Sequence, residues 1–460
     1  MGRGEVAENQ RQRMHGAMVE AVAAHGYGGT SVKQVITLAG VSRRAFYEQF
    51  ANKQECFLAT LELLSRRAGE RVATAYRSTD GGIEQRMQAA LTTFAELIAS
   101  NPKSARMAVL DASAAGPSGW AAHTKTLLGF ERALGHSFAS TPGASALPAP
   151  VVRAITGGLH MIVLNRLHRG RPEELPGLAQ DMLAWTLAFE TPAARHMQSL
   201  DPRGKLAGVA ARSAKLPSQA QRPSRRPNTG PQARGQGDGP EAERARLLQS
   251  ALEMTALEGY ANLSPLRIVD RAGVSIDSFF SLFGDMEGCV LVALAKLGDE
   301  IRQTLSALDQ GSEREWPMTV RRALHALMRH FAEHPSHAHM IATGSVEIGS
   351  PGIDQSLGLA AEVARRLAAG APADSTAGAC TEEGIAGAIW HTVYCYAVCH
   401  KTDRLEATAD YLTYIVLAPY LGAEQAVKAL AFEHAARGFS RLGERAQRPA
   451  ELQGAPARTL

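Results

Sequence analysis

The sequence predicts an all-α protein made of two tandem units, each a three-helix helix-turn-helix head on a larger helical body. Three observations predict it. Apolar residues recur at helical spacing along the chain, with no convincing period-two strand. A compact helix-turn-helix pattern occupies Ser31 to Lys53. The landmarks of that pattern return 233 positions later without a gap: Ser264, Gly273 and Phe283 stand where Ser31, Gly40 and Phe50 stood.

In the first copy, Ser31 with Gln34 three residues on is a capping-box start. Val32, Val35, Ile36 and Ala39 form one apolar face, and Gly40 ends the helix because glycine enters a left-handed turn without strain. Ser42 caps a second helix in which Phe46 and Phe50 point inward, while Arg43, Arg44, Tyr47 and Glu48 share the outer face. A short helix, a tight turn and a helix with a basic, hydrogen-bonding face is the arrangement that enters the DNA major groove.

The run GYGGTSVKQVITLAGVSRRAFYEQFANKQE resembles the DNA-binding segment of the TetR/AcrR family of bacterial transcriptional regulators. Gly26-Tyr27, Thr30-Ser31, Ala39 to Ser42, Phe46-Tyr47, Phe50 and Asn52-Lys53 carry the resemblance. It implies a head that reads an operator in double-stranded DNA and a body that holds a small-molecule effector of unknown identity. By the same resemblance, Arg43, Arg44, Ala45, Tyr47, Glu48 and Gln49 are recognition-helix candidates. Arg43 or Arg44 suits guanine and Gln49 adenine, each good bidentate pair giving about 1–3 kcal/mol of discrimination. Ser31, Tyr47 and Lys53 suit phosphates, and Arg3, Arg11 and Arg13 would extend a basic arm.

Length and charge fit this plan. The 460 residues allow two or more domains. The net charge of +4 is misleading, because the segment from Thr191 to Pro240 carries nine Lys/Arg against two Asp/Glu, leaving the remainder acidic. DNA binding must therefore rest on local placement of charge. Five cysteines without paired spacing fit a reducing, cytoplasmic setting. The polar N-terminus has no secretory core, and no run reaches the ~20 apolar residues of a membrane span.

The repeat extends beyond the head. Cys56 and Cys289, Pro102 and Pro335, and Met107 and Met340 keep the same spacing, and Ile155 and Gly157 fall 230 before Ile385 and Gly387. The expected domains are a first head over 1–55, a first body over 56–190, and a Pro/Gly/Arg-rich flexible linker over 191–240. A degenerate head over 241–288, a second body over 289–437 and a disordered tail over 438–460 follow. The expected helices of the first unit lie over 11–25, from 52 toward 77, and over 83–100, 105–115, 121–140, 151–169 and 173–190. The second unit ends in helices over 381–400 and 404–421. The resemblance implies that the last two helices of each body pair across units. Gly157, Gly158, Gly387 and Ala388 would permit close approach in an internal pseudo-dimer, with a homodimer of two chains as a further level of assembly.

The second head keeps the scaffold and changes the chemistry. Ile276 and Asp277 replace the two arginines, Leu282 replaces Gln49, and Met286 replaces Lys53. Arg244, Arg246, Arg267, Arg271 and Ser278 remain as a weak backbone-binding face. The opposing reading is a genuine reader of an A/T-rich half-site. His391, Cys395 and Cys399 lie four apart on one helical face, a spacing that suits metal or redox chemistry but also an ordinary bundle core. His330 and His334 share that spacing, and Pro335 then breaks the helix. Met107, Trp120, Phe130, Phe138 and Met161, with Met340, Trp390, Tyr394 and Tyr396, fall where the family's ligand-binding helices lie, without defining a pocket. No catalytic set is recognisable, and neither an enzyme, a cofactor nor a membrane partner is expected. The reading is a ligand-responsive repressor in which the first unit reads DNA and the second serves as its built-in dimerisation partner. Half-sites would lie about 34–36 Å apart or a multiple of that. The alternative is a ligand- or protein-binding module that has lost sequence-specific DNA binding.

Overall fold

The computed structural model describes residues 3–144, 146–189, 239–306, 316–375 and 377–430, and every regular element among them is helical. The first head is α1 (Arg3–Gly29), α2 (Val32–Ala39) and α3 (Arg43–Gln49), and α4 (Lys53–Ser78) leads into the body. The body continues with α5 (Ile83–Ser100), α6 (Pro102–Val109), a 3-10 turn at Ala112–Ala115, α7 (Pro117–Ser140) and α8 (Ala149–His168). A 3-10 stretch at Pro172–Leu178 and α9 (Ala179–Leu187) complete it. The second half opens with α10 (Pro240–Glu258), α11 (Pro265–Ala272), α12 (Ile276–Phe283) and α13 (Met286–Ser306). It continues with α14 (Trp316–Glu333), α15 (Pro335–His339), a π turn at Met340–Gly344, and α16 (Ser350–Ala368). It continues in α17 (Thr381–Val398), a 3-10 stretch at Thr402–Thr408, and α18 (Ala409–Leu421), and residues 423–430 are helical beyond it.

Several expected boundaries need correction. α1 runs past both ends of 11–25 and kinks at Gly26, whose φ of 66° is left-handed. The helix expected over 105–115 begins instead at Pro102, since proline at a first helical position lacks only an N–H that would be orphaned anyway. The helix expected over 173–190 is split, because Pro176 cannot donate within a continuing ladder. The 404–421 helix likewise starts as a 3-10 stretch. Apart from Gly239 and Pro240, the expected linker lies outside the described residues, as does the expected tail. No single described helix is long and apolar enough to cross a membrane.

The first head is a closed core of Met14, Met18, Val22, Val35, Phe46, Phe50 and Phe57, joined by Met107, Ala112 and Ala115 from the body. That shared core seats the head on its body. Between the halves, α8 and α17 form the most extensive helix pair among the described residues. Glycine makes this possible. A Cβ on Gly157 would stand 2.5 Å from the Cβ of His391 and 2.7 Å from the Gly387 carbonyl oxygen. A Cβ on Gly387 would strike the Gly157 carbonyl and the Cβ of Met161. Gly158 and Gly384 leave a notch filled by the Trp185 indole, whose Nε1 donates to the Ile155 carbonyl at 3.3 Å. Ala388 is fully buried beside them. Around this seam the Tyr414 hydroxyl donates to the Phe189 carbonyl at 3.2 Å, and Arg166 pairs with Glu383 at 2.6 Å.

Gly387→Val would force two methyl groups against the Gly157 backbone. It should destabilise the chain by about 1–3 kcal/mol, read as a lower urea midpoint, and an unchanged midpoint would contradict the close approach.

Candidate nucleic-acid interface and ligand cavity

The turn of the first head is fixed by local chemistry. The Ser31 hydroxyl accepts the Gln34 N–H at 3.3 Å, and Gln34 Oε1 takes the Ser31 N–H at 2.7 Å, completing the capping box. Gly40 sits at φ 58°, ψ 44°, and the Val41 N–H reaches back to the Ile36 carbonyl at 3.1 Å. Ser42 caps α3 through the Ala45 N–H at 3.0 Å. Phe46 and Phe50 are buried with ring centroids 5.7 Å apart, which fixes the roll of α3 and leaves its opposite side to solvent.

On that side stand Arg43, Arg44, Tyr47 and Glu48, all exposed. Arg44 has a side chain 90% exposed and pairs with Glu48 at 2.9 Å. Such a surface pair holds by about 0–1 kcal/mol and can open for a base or phosphate. The Arg43 guanidinium lies 5.7 Å from the Tyr47 ring centroid, so the two move as one projecting group. Gln49 is half-buried.

Other expected contacts are placed differently. Ala45 is buried in the head core and presents nothing to solvent. Lys53 donates to the Tyr27 carbonyl at 2.8 Å with its ammonium 4.3 Å above the Tyr27 ring, so it ties α4 to the end of α1. Burial lowers its pKa. Ser31 is engaged in its cap. Arg13 donates to the Gly40 carbonyl at 3.0 Å, closing the turn, and Arg11 lies over the Phe50 ring. The side chain of Arg3 lies outside the described residues.

The second head repeats the geometry, with Gly273 at φ 64° and Ser275 capping α12 through the Ser278 N–H at 3.0 Å. Two of its cations are neutralised by carboxylates of α10, and a third is held by a backbone carbonyl. Arg267 pairs with Glu258 and Arg271 with Glu253, both at 2.5 Å, and Arg246 donates to the Ala272 carbonyl. Ser278 receives a hydrogen bond from Ser275 at 2.9 Å. The outer surface shows Phe280 and Leu266, both exposed, beside exposed Asp277.

Residues 17–60 match the family model described as bacterial regulatory proteins, tetR family. The first head is a tetR-family helix-turn-helix domain. The match covers the turn and both flanking helices of that head and ends in α4, and it does not extend to the rest of the chain. No curated protein matches the chain. Among solved structures it is similar to the fatty acid degradation regulator FadR from Bacillus halodurans, at 18% identity and a TM-score of 0.35, covering 38% of this chain and 97% of that one. The transcriptional regulator FadR from Bacillus subtilis, in complex with stearoyl-CoA, aligns at 17% identity and 0.35, covering 38% and 96%. A transcriptional regulator from Rhodococcus sp. Rha1 aligns at 24% and 0.33, covering 39% and 97%. At those scores the likeness constrains neither the ligand nor the assembly of this chain.

Away from the tetR-family head, a cavity of about 100 Å³ opens where the two bodies meet. Trp120, His123, His160 and Met161 line it from one side, and Trp390 and Tyr394 from the other. The lining contains no Asp, Glu, Lys or Arg. Of the aromatic and methionine residues picked out in the sequence, Trp120, Met161, Trp390 and Tyr394 reach this cavity. Met107, Phe138, Met340 and Tyr396 are core, and Phe130 packs on Phe94. Burial pushes the His123 imidazole down to about 4 and His160 well below its usual value. Trp120 also links the halves: its Nε1 donates to Glu347 Oε1 at 3.3 Å, while Glu347 Oε2 accepts the Tyr260 N–H of the second head at 2.7 Å. Burial raises the pKa of Glu347.

Next to the cavity lies a buried polar cluster that the sequence only half revealed. His391 Nε2 stands 3.1 Å from Glu131 Oε1 and 3.6 Å from Cys395 Sγ, and Arg153 Nε is 3.5 Å from the same carboxylate oxygen. The expected partners His391 and Cys395 do come together, but the third member is Glu131 from α7 rather than Cys399. Burial opposes the imidazolium of His391, yet the adjacent Cys395 and Glu131 outweigh it and raise its pKa to about 10.

Two outcomes follow. Because His391 gains a proton on folding, its contribution is complete below about pH 6.5 and lost as pH rises toward about 10. The urea midpoint should fall over that window, and less steeply in His391→Gln. Since Arg267 and Arg271 are already paired, Arg267→Ala/Arg271→Ala should leave the DNA affinity and its salt slope unchanged in a fluorescence-anisotropy titration; a slope reduced by about two would instead place both on phosphates.

Proposed function

We propose that the chain is a ligand-responsive transcriptional repressor in which the first unit reads the operator and the second acts mainly as a covalently attached dimerisation partner. The observation that carries the reading is the outer face of α3. Arg43, Arg44 and Tyr47 project from it into solvent, opposite the buried Phe46 and Phe50. A duplex supplies the anionic, acceptor-rich surface that this face lacks.

The duplicated plan is supported by register. α14 begins at Trp316 and α5 at Ile83, α16 at Ser350 and α7 at Pro117, each pair keeping the spacing of the two heads. A two-fold relation between the bodies is supported by reciprocity at the seam. In a two-fold interface, residue i meets j′ and j meets i′. Gly157 crowds His391 while Gly387 crowds Met161, and Gly157/Gly387 and Met161/His391 occupy matching places in the repeat. With the second head acidic and apolar outside, one chain offers one operator-reading surface, and two chains would cover a palindrome. The cavity between the bodies suits an effector with an aromatic or aliphatic body and a polar or anionic group, because its walls are indole, phenol and aliphatic groups with serine hydroxyls and the protonated His391 imidazole among them. An effector seated there would bias how the halves sit together and so release DNA.

A specific observation favours the alternative for the second unit alone: its recognition surface presents Asp277, Phe280 and Leu266, which suit protein or ligand contact better than phosphate. The decisive test is selection of bound sequences from a random DNA pool, followed by Arg43→Ala/Arg44→Ala. Loss of about tenfold or more in operator preference is expected for each base contact removed, with folding intact. Unchanged preference would move the reading surface elsewhere, and binding that follows bulk charge alone would favour a module without sequence specificity.

A further inference from the structure

At the end of α14 the chain does something its sequence hides. Pro335 breaks the helix and starts the short α15, which folds back so that His337 comes to lie against His330 and His334. His330 Nε2 and His337 Nδ1 are 3.0 Å apart, and the His334 ring stacks on both at centroid distances of 4.8 Å. One nitrogen from each of the three rings falls within 4.8 Å of the others. Glu300 on α13 approaches the same nitrogen of His337 at 3.7 Å. His337 is buried, His330 half-buried, and His334 exposed, so the cluster has a floor and an open mouth.

We propose that His330, His334 and His337, with the Glu300 carboxylate beside them, form a binding site for one first-row divalent cation such as Zn(II) or Ni(II). Imidazole is the ligand these ions favour, and two nitrogens on a tetrahedral zinc at about 2.0–2.1 Å stand about 3.3 Å apart, close to the separation found here. His334 Nδ1 sits 3.0 Å from the His330 carbonyl oxygen, which leaves Nε2 as its ligand atom. A rotation of that exposed ring turns it from stacking to coordination. His330 and His337 already stand side by side, one half-buried and the other buried, with the Glu300 carboxylate beside them, so three donors are in place around one point. By contrast, Glu131, His391 and Cys395 already hold the Arg153 guanidinium among them, which takes the place of a metal's charge.

The consequence is mechanical. Glu300 belongs to α13, the helix leaving the second head, and α15 packs against α10, the first helix of that head. A cation would clip α13, α14 and α15 together and stiffen the seat of the second head.

The test uses the untagged full-length chain, stripped with a chelator. Zn(II) is titrated by calorimetry and Co(II) by absorption. One equivalent should bind, the melting temperature should rise with metal, and the cobalt spectrum should show nitrogen and oxygen ligation without a thiolate charge-transfer band. His334→Gln, at an exposed position, should weaken binding by at least about tenfold and abolish the metal-dependent rise in melting temperature, whatever small change the lost stacking makes without metal. His25→Gln, an exposed histidine elsewhere, should change nothing. Absence of one-equivalent binding, indifference to His334→Gln, or a cobalt–thiolate band would each overturn the assignment and leave the three rings as a hydrogen-bonded helix stop.

Discussion

Everything in the bodies depends on two backbones being allowed to touch. At Gly157 and Gly387 the α8 and α17 main chains are so close that a single methyl on either would collide with the other's carbonyl. Helix axes with ordinary side chains between them stay about 8–10 Å apart, and the missing side chains remove that spacer. Dispersion between backbones takes over where side chains would have been. The Trp185 indole, set into the notch of Gly158 and Gly384, then fills the volume at the edge of the crossing. With the crossing fixed, the position of everything bordering it follows, including the cavity walls and the Glu131–Arg153–His391 cluster.

How much of this was legible beforehand depended on distance along the chain. The capping box at Ser31, the left-handed Gly40 and the inward pair Phe46 and Phe50 involve neighbours within one turn, and the sequence contains all the information they need. The glycines of the seam were also visible as small residues on paired helices. Partners brought together by folding were not visible. Arg13 reads as a free cation until α1 is laid beside the turn and its guanidinium meets the Gly40 carbonyl. Arg267 and Arg271 read as phosphate contacts until Glu258 and Glu253 are seen beside them. Pro335 correctly announces the end of a helix, but not that the chain turns back and returns His337 to His330.

The two heads make a controlled comparison within one molecule. Both hold a capped helix, a left-handed glycine and two phenylalanines in tilted contact, so the same local packing carries very different outer faces. The first displays cations that its own surface satisfies only weakly. The second pairs Arg267 and Arg271 with carboxylates and exposes Phe280 and Leu266 instead. Similar turns beneath different outer faces are what packing allows, since core positions answer to volume and outer positions do not.

One carboxylate ties these features together. Glu347 divides its two oxygens between the indole N–H of Trp120, at the cavity wall, and the backbone of Tyr260, at the base of the second head. A guest that tilts the indole would strip one donor from an acid whose burial already favours the neutral form. The carboxylate is the one group that touches both places, so any shift of the indole is felt at the backbone of Tyr260 through a single side chain.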